Sequence, residues 1–109
     1  MHHLYSVTRH KDASDLATQA EIIFAMLQIS ASEERFSANY PPNDHYFLGH
    51  AINASVVVCD ADDEDAAKYP YWVVVKNPMP WGNPGDAPSI LIAELASALT
   101  NVGLSVRDS

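Results

Sequence analysis

The chain alternates apolar with other residues in some segments and repeats apolar residues at helical spacing in others. Alternation with a period of two is typical of strands that bury one face, and it predicts strands over 4–9, 45–60, 70–77 and 104–108. The run over 45–60 is the longest, and a turn at Asn53–Ala54 would instead divide it into two strands. Gly49 within this run is a candidate for a β-bulge.

Two segments have the apolar spacing of a helix. The first covers about 14–29, and its stripe consists of Leu16, Ala20, Ile23 and Leu27. The second covers about 87–102, and its stripe consists of Leu91, Leu95, Ala98 and Val102. Gly103 follows where a helix C-terminus favours glycine. A further short helical turn is expected over 30–36, because a serine and a glutamate there have the spacing of a capping box.

The predicted order, β-α-β-β-α-β, is that of the ferredoxin-like split βαβ arrangement. We therefore predict a single α+β domain over residues 1–109, with two helices on one face of a four-stranded antiparallel sheet. The expected core consists of Ile23, Leu27, Val56, Val58, Leu91 and Leu95.

The charge of the chain is strongly acidic. Fourteen acidic residues face six basic ones, which gives a net charge of −8. This balance argues against direct binding to nucleic acid and to membranes, because both present negative charge. A basic protein would be attracted, and it would associate faster at low salt. Solubility alone is the simpler interpretation of the same excess.

The only cysteine, Cys59, leaves no possibility of an internal disulfide. The first residues lack the apolar core of a signal peptide, and no apolar run reaches the ~20 residues of a membrane span. We therefore expect a soluble protein in a reducing, cytoplasmic setting.

Five acidic residues are concentrated between Asp60 and Asp65, which separate two valine-rich strands. Like charges this dense repel one another, so we expect the stretch to be exposed and mobile. The charges act as gatekeepers that oppose aggregation of the strands, or they form the negative part of a binding surface for a basic partner.

The predicted strand over 70–77 carries an aromatic residue and valine on both of its faces. The face that points away from the helices would be an aromatic and aliphatic stripe, which is typical of a contact surface. In the alternative, the proline-rich loop over 77–88 covers that face. The candidate partner-binding residues are Asp60, Asp62, Asp63, Glu64, Asp65, Tyr69, Tyr71, Trp72 and Trp81.

No metal or cofactor is predicted. Asp60, Asp62 and Glu64 have the alternate spacing of a calcium loop, but the glycine and the bidentate glutamate that such a loop needs are missing. His45 and His50 lie five residues apart on one predicted strand, and therefore on opposite faces, where they cannot chelate one ion.

Catalytic motifs are also missing from the sequence, which contains no phosphate loop, nucleophile elbow or zinc-protease motif. His50 is expected on the buried face of the sheet as a core histidine. Cys59 is expected to be structural, because the neighbouring acids raise the pKa of its thiol.

The leading hypothesis is a small, non-enzymatic protein-binding domain that inhibits or neutralises a basic protein partner. A toxin or a nuclease is the expected partner, as for toxin-immunity or anti-defence proteins. The first alternative is a regulatory or small-molecule-binding domain of ferredoxin-like build that forms a homodimer through its open sheet face. The second alternative is a small enzyme that uses His50 or His45 for acid–base catalysis.

Overall fold

The structure is a computed structural model, and it describes residues 2–40, 43–51, 54–76 and 95–108. The predicted α+β class is confirmed, since one antiparallel sheet packs against two helices. The strands and the first helix are β1 (His2–Val7), α1 (Leu16–Met26), β2 (Ser32–Phe36), β3 (His45–Ala51), β4 (Ala54–Asp60), β5 (Tyr71–Lys76) and β6 (Val106–Asp108). The second helix, α2, is described over residues 95–101. No helix within the described ranges is long and apolar enough to cross a membrane.

The sheet has six strands in the order β2-β3-β4-β5-β1-β6, and every neighbouring pair is antiparallel. The prediction of four strands is therefore wrong. The long run over 45–60 is divided into β3 and β4, which pair with each other from Ala51 opposite Ala54 outward. This is the division that the alternative with a turn at Asn53–Ala54 anticipated.

The extra edge strand, β2, replaces the helical turn predicted over 30–36. Its side chains find partners on β3: Glu33 and Glu34 each contact a histidine, and the ring of Phe36 stacks on that of His45. The capping-box spacing is a local cue, whereas these contacts join residues far apart along the chain. The tertiary contacts outweigh the local preference here.

One face of the sheet is covered by both helices and forms the main core. This helical face buries aliphatic and aromatic side chains, together with α1 and α2 residues, in one cluster: Tyr5, Val7, Leu16, Ala20, Ile23, Phe24, Val56, Val58, Tyr71, Val73, Val75, Leu95, Leu99 and Leu104. The core assignment of Ile23, Leu95, Val56 and Val58 is confirmed. Leu27 is only partly buried against the cluster, and Leu91 lies outside the described residues.

Helix α1 begins at its N-cap residue Asp15, whose carboxylate accepts a 2.9 Å hydrogen bond from the Thr18 N–H. At the other end, the Ile29 N–H donates to the Phe24 carbonyl and the Gln28 N–H donates to the Ala25 carbonyl. This pair of bonds is a Schellman motif, which requires a left-handed residue. Gln28 takes that conformation with φ 59°.

Helix α2 ends in the same motif with the residue type that the motif prefers. The Leu104 N–H donates to the Leu99 carbonyl, and the Gly103 N–H donates to the Thr100 carbonyl. Gly103 has φ 101°, which costs glycine little. The glycine predicted at this helix end is confirmed.

Gly49 does not form the β-bulge that was expected, because it pairs regularly with Ser32 on one side and Val56 on the other. The reason for glycine is space. A Cβ atom at this position would lie 2.7 Å from Phe24 Cε1 and 3.0 Å from Ile29 Cγ2. The end of α1 therefore rests directly on the backbone of β3.

Candidate partner-binding surface

The side of the sheet opposite the helices, here called the second face, carries a mixed set of side chains. Strand register places one row across it, consisting of Arg35, Tyr46, Cys59, Trp72, Ser6 and Arg107. Val57, Cys59 and Val74 are buried on this face. The partly buried residues that pack around them are Leu4, Tyr40, Tyr46, Leu48 and Trp72.

The acidic loop, residues 61–70, connects β4 to β5 beside the middle of this row. The Ala61 N–H donates a 2.9 Å hydrogen bond to the Pro70 carbonyl and closes the base of the loop. Within the loop, the Tyr69 N–H donates to the Asp65 carbonyl over 2.8 Å, and the Asp65 N–H donates to the Asp63 carboxylate over 3.1 Å. The loop is therefore a series of hydrogen-bonded turns, and the expected mobility of the stretch stays a prediction.

Arg107 on β6 is the residue that compensates the charge of the loop. Its guanidinium donates to the Asp65 carboxylate and lies 3.6 Å from an Asp63 carboxylate oxygen. It also lies 5.3 Å from the centre of the Tyr69 ring, within cation–π range. The hydrogen bond to Asp65 raises the pKa of Arg107, and the nearby carboxylates add to the effect. One cation thus holds two of the five clustered acids.

Arg107 was missed in the sequence because nothing local marks it. It lies 42 residues from Asp65 along the chain, and only the pairing of β6 with β1 brings it there. Two hydrogen bonds fix the start of β6 beside β1: the Thr8 N–H donates to the Ser105 carbonyl, and the Ser105 N–H donates to the Thr8 hydroxyl.

Two of the three remaining acids of the stretch point outward. Asp62 and Glu64 are exposed, and neither forms an ion pair with any residue in the described ranges. Asp60 is half-buried and accepts a 2.8 Å hydrogen bond from the Asn43 side chain. The exposure expected for the stretch is therefore found at its centre, on a loop whose shape is set by its other carboxylates.

The aromatic candidates are divided between the two faces. Tyr71 is 3% exposed in the core beneath the helices, so it is not available as a surface contact. Tyr69 is half-buried in the acidic loop under Arg107. Trp72 is half-buried on the second face, and its Nε1 has no hydrogen-bond acceptor within the described parts of the chain. Trp81 and the loop over 77–88 lie outside the described residues.

The two histidines of β3 lie on opposite faces, as their spacing predicts, and each contacts a different glutamate of β2. His45 Nε2 is 2.8 Å from a Glu34 carboxylate oxygen, and His50 Nε2 is 3.0 Å from one of Glu33. The prediction that His50 faces the core is wrong, because its side chain is exposed. Hydrogen bonds from His50 and Arg35 lower the pKa of Glu33.

Cys59 is buried on the second face with 1% exposure. Burial raises the pKa of its thiol from 9.0 to about 12, and the neighbouring Asp60 carboxylate adds to the effect. The thiol is therefore protonated at neutral pH, in the direction that the acidic neighbours predicted, although desolvation is the larger cause.

No group of three histidine, cysteine or acidic side chains among the described residues is arranged to hold a metal ion. Comparison of the chain with protein-family models, with curated proteins and with solved structures found no match. The geometry of the described residues is that of a structured negative loop beside a partly buried aromatic face.

Proposed function

We propose that this protein is a small acidic binding domain that neutralises a basic protein, in the manner of an immunity protein for a toxin or nuclease or of an anti-defence protein. The observation that supports the proposal is the acidic loop. Its turns and the Arg107 contacts present Asp62 and Glu64 outward. These charges are free to meet cations on a partner, and a cytoplasmic partner is expected.

The preformed shape of the loop favours recognition of a protein over a general solubility role. A mobile acidic segment would lose conformational entropy when it binds, and that loss weakens affinity. Here the Asp63 and Asp65 contacts already constrain the loop before any partner arrives. Charges held in a fixed pattern can match the spacing of basic side chains on one particular surface.

Trp72 supplies the second part of the proposed surface. It lies in the same row of the sheet as Arg107, separated from it by Ser6. Interfaces commonly place an aromatic anchor beside a charged rim, with the anchor contributing most to dissociation and the rim to association. We assign the anchor role to Trp72 and the steering role to Asp62 and Glu64.

The first experiment is capture of the partner from the native host, followed by measurement of its binding kinetics. The double variant Asp62→Asn/Glu64→Gln is compared with Asp12→Asn/Glu21→Gln, which removes the same charge from exposed positions elsewhere. We expect the loop variant to associate more slowly and with a flatter salt dependence, while the control stays close to the unmodified protein. Equal changes in association rate for the two variants would mean that the loop acts only through its contribution to the net charge.

The role of loop shape is tested separately with Arg107→Ala. This variant makes the protein more acidic by one charge, so simple attraction of a basic partner would strengthen. We expect weaker binding instead, because the loop loses the contacts that hold Asp63 and Asp65. Stronger binding would show that net charge matters and that the shape of the loop does not.

We also propose that four of the strands and both helices correspond to the ferredoxin-like arrangement predicted from the sequence. The support is the order β6-β1-β5-β4, in which neighbours are antiparallel. Strands β2 and β3 would then be an addition at one edge. An experimental structure in which α2 runs in a different direction across the sheet would contradict this assignment.

A further inference from the structure

Among the strands that the structure describes, β2 is the edge strand opposite β6, and its one neighbour is β3. All five of its residues are exposed, and Phe36, a large apolar residue, is 71% exposed. An exposed sheet edge offers unpaired backbone groups to another strand. Its sequence, Ser-Glu-Glu-Arg-Phe, decides which strand can use them.

Hydrogen bonds to β3 determine which backbone groups of β2 remain outward. The His50 N–H donates to the Ala31 carbonyl, and the Ser37 N–H donates to the Asp44 carbonyl. In an antiparallel ladder, bonded positions alternate with non-bonded ones. Residues 31, 33, 35 and 37 therefore face β3, and the N–H and C=O groups of Ser32, Glu34 and Phe36 point away from the sheet.

From this pattern we propose that β2 pairs antiparallel with β2 of a second copy of this chain, about a two-fold axis at Glu34. Glu34 then faces its own counterpart, and Ser32 faces Phe36 of the second copy. All of these positions carry outward backbone groups, so the new ladder satisfies them on both strands. The two sheets become one continuous sheet.

Charge complementarity selects the same register. With the axis at Glu34, Glu33 of each copy lies opposite Arg35 of the other, at the non-bonded positions where side chains approach most closely. An axis at Glu33 would place two Glu33 side chains together, and an axis at Arg35 would place two arginines together. Like charges disfavour the other two registers at these close positions, whereas the like pair of the first register, Glu34 with Glu34, lies at a bonded position where side chains are farther apart.

The groups around the axis are consistent with this pairing. Glu34 would face Glu34, but each carboxylate already lies 2.8 Å from His45 Nε2 of its own chain. Phe36 is stacked on His45 with ring centres 4.6 Å apart. In the pair, the exposed ring of Phe36 would lie against Ser32 of the second copy and lose contact with water. This surface is separate from the acidic loop, so it does not depend on the proposed function.

The test measures molecular mass against protein concentration for the full chain by sedimentation equilibrium. We expect a reversible dimer for the unmodified protein. Arg35→Glu and Glu33→Arg should each weaken the dimer by about tenfold or more, since each places like charges opposite one another. Lys68→Glu, which changes the net charge as much as Arg35→Glu but lies in the acidic loop, should leave the dimer in place.

A mixture of the two charge variants gives the sharpest result. Arg35→Glu carries two glutamates where Glu33→Arg carries two arginines, so an equimolar mixture should form a mixed dimer although each variant alone does not. Glu34→Pro should also abolish dimers, because it removes an outward N–H that the ladder within the chain does not use. Circular dichroism verifies that each variant is folded.

Two results would overturn the proposal. One is an unmodified protein that stays monomeric up to about 1 mM, the weak end of specific association. The other is a dimer that both charge variants and the proline variant leave unchanged, which would place the contact elsewhere on the molecule.

Discussion

The two faces of the sheet differ in what they are made of and in how completely they are covered. On the helical face, Val7, Val56, Val58 and Val73 are 0% exposed beneath the helices. The second face buries only a smaller group around Val57, and its margins carry aromatic and charged residues. The helical face therefore supplies most of the hydrophobic stabilisation, whereas the second face and its loop carry the more accessible aromatic and charged groups.

The second face also contains polar and stacking contacts between its aromatic and charged side chains. Lys76 Nζ lies 2.5 Å from the Tyr40 hydroxyl, and the rings of Tyr40 and Tyr46 stack with centres 4.0 Å apart. Such contacts keep half-buried aromatic residues oriented while leaving them near the surface. A surface with fixed aromatic and charged side chains is better suited to selective binding than a flexible one.

The largest expected effect comes from truncation of the helical face. Leu95→Ala should lower the free energy of unfolding by ~2–5 kcal/mol, because Leu95 is 0% exposed and a cavity would remain. Leu48→Ala on the second face should cost clearly less, since Leu48 is only partly buried. Urea denaturation of both variants measures the difference. Equal costs would mean that the two faces contribute equally to stability.

The next effect concerns the close approach of α1 to β3. Gly49→Ala should destabilise the protein by ~1–3 kcal/mol, because the added methyl group overlaps the Phe24 ring. The variant Phe24→Leu tests the cause. In the double variant, Gly49→Ala should cost less than it does alone, since the two residues are in contact. If the losses of unfolding free energy in the two single variants simply add in the double variant, the cost of Gly49→Ala comes from backbone strain and not from overlap with the Phe24 ring.

Cys59 gives a pH-dependent effect on the second face. Its folded pKa, about 12, lies above its ordinary value of 9.0, so the stability from keeping the thiol protonated is complete below pH 9. That contribution should decrease by about 1.4 kcal/mol per pH unit above pH 9 and be lost near pH 12. Stability curves of the unmodified protein and Cys59→Ala between pH 8 and about pH 10 should therefore diverge in slope. Parallel curves would contradict the raised pKa.

The smallest effect compares the two helix ends. Gln28→Gly should stabilise the protein by ~0.5–1 kcal/mol, because glycine adopts the left-handed conformation without the Cβ penalty that Gln28 bears. Gly103→Ala, at the equivalent position of α2, should destabilise by a similar or larger amount. Thermal unfolding measures both. A loss of stability in Gln28→Gly would show that the glutamine side chain makes a contribution larger than the strain.

Much of the fold could be predicted because it depends on local patterns. The helical spacing around Ile23 and the glycine at position 103 each report a preference of a few neighbouring residues. The strand over 71–76 was found for the same reason, since valine and aromatic residues favour a pleated backbone. By contrast, the capping-box spacing at 30–36 indicated a helix, and the pairing of β2 with β3 overrode it.

The candidate site shows the same limit. The acidic stretch and its exposure follow from charge density alone, because like charges that close cannot be buried together. The sequence also placed an aromatic residue on each face of β5, and Tyr71 and Trp72 were both candidate contact residues. Which of them is accessible depends on the side that the helices cover, and the helices cover the side of Tyr71.

By itself, the sequence determined the α+β class, the main core residues and the exposed acidic stretch, because each depends on local pattern or on the nearest charges. Tertiary structure alone decided the six-stranded order, the exposure of His50, the pairing of Arg107 with Asp63 and Asp65, and the lack of space for a side chain at Gly49. These features join residues distant along the chain. The contacts between these residues form only after the strands have paired. The pattern of a short segment therefore cannot predict them.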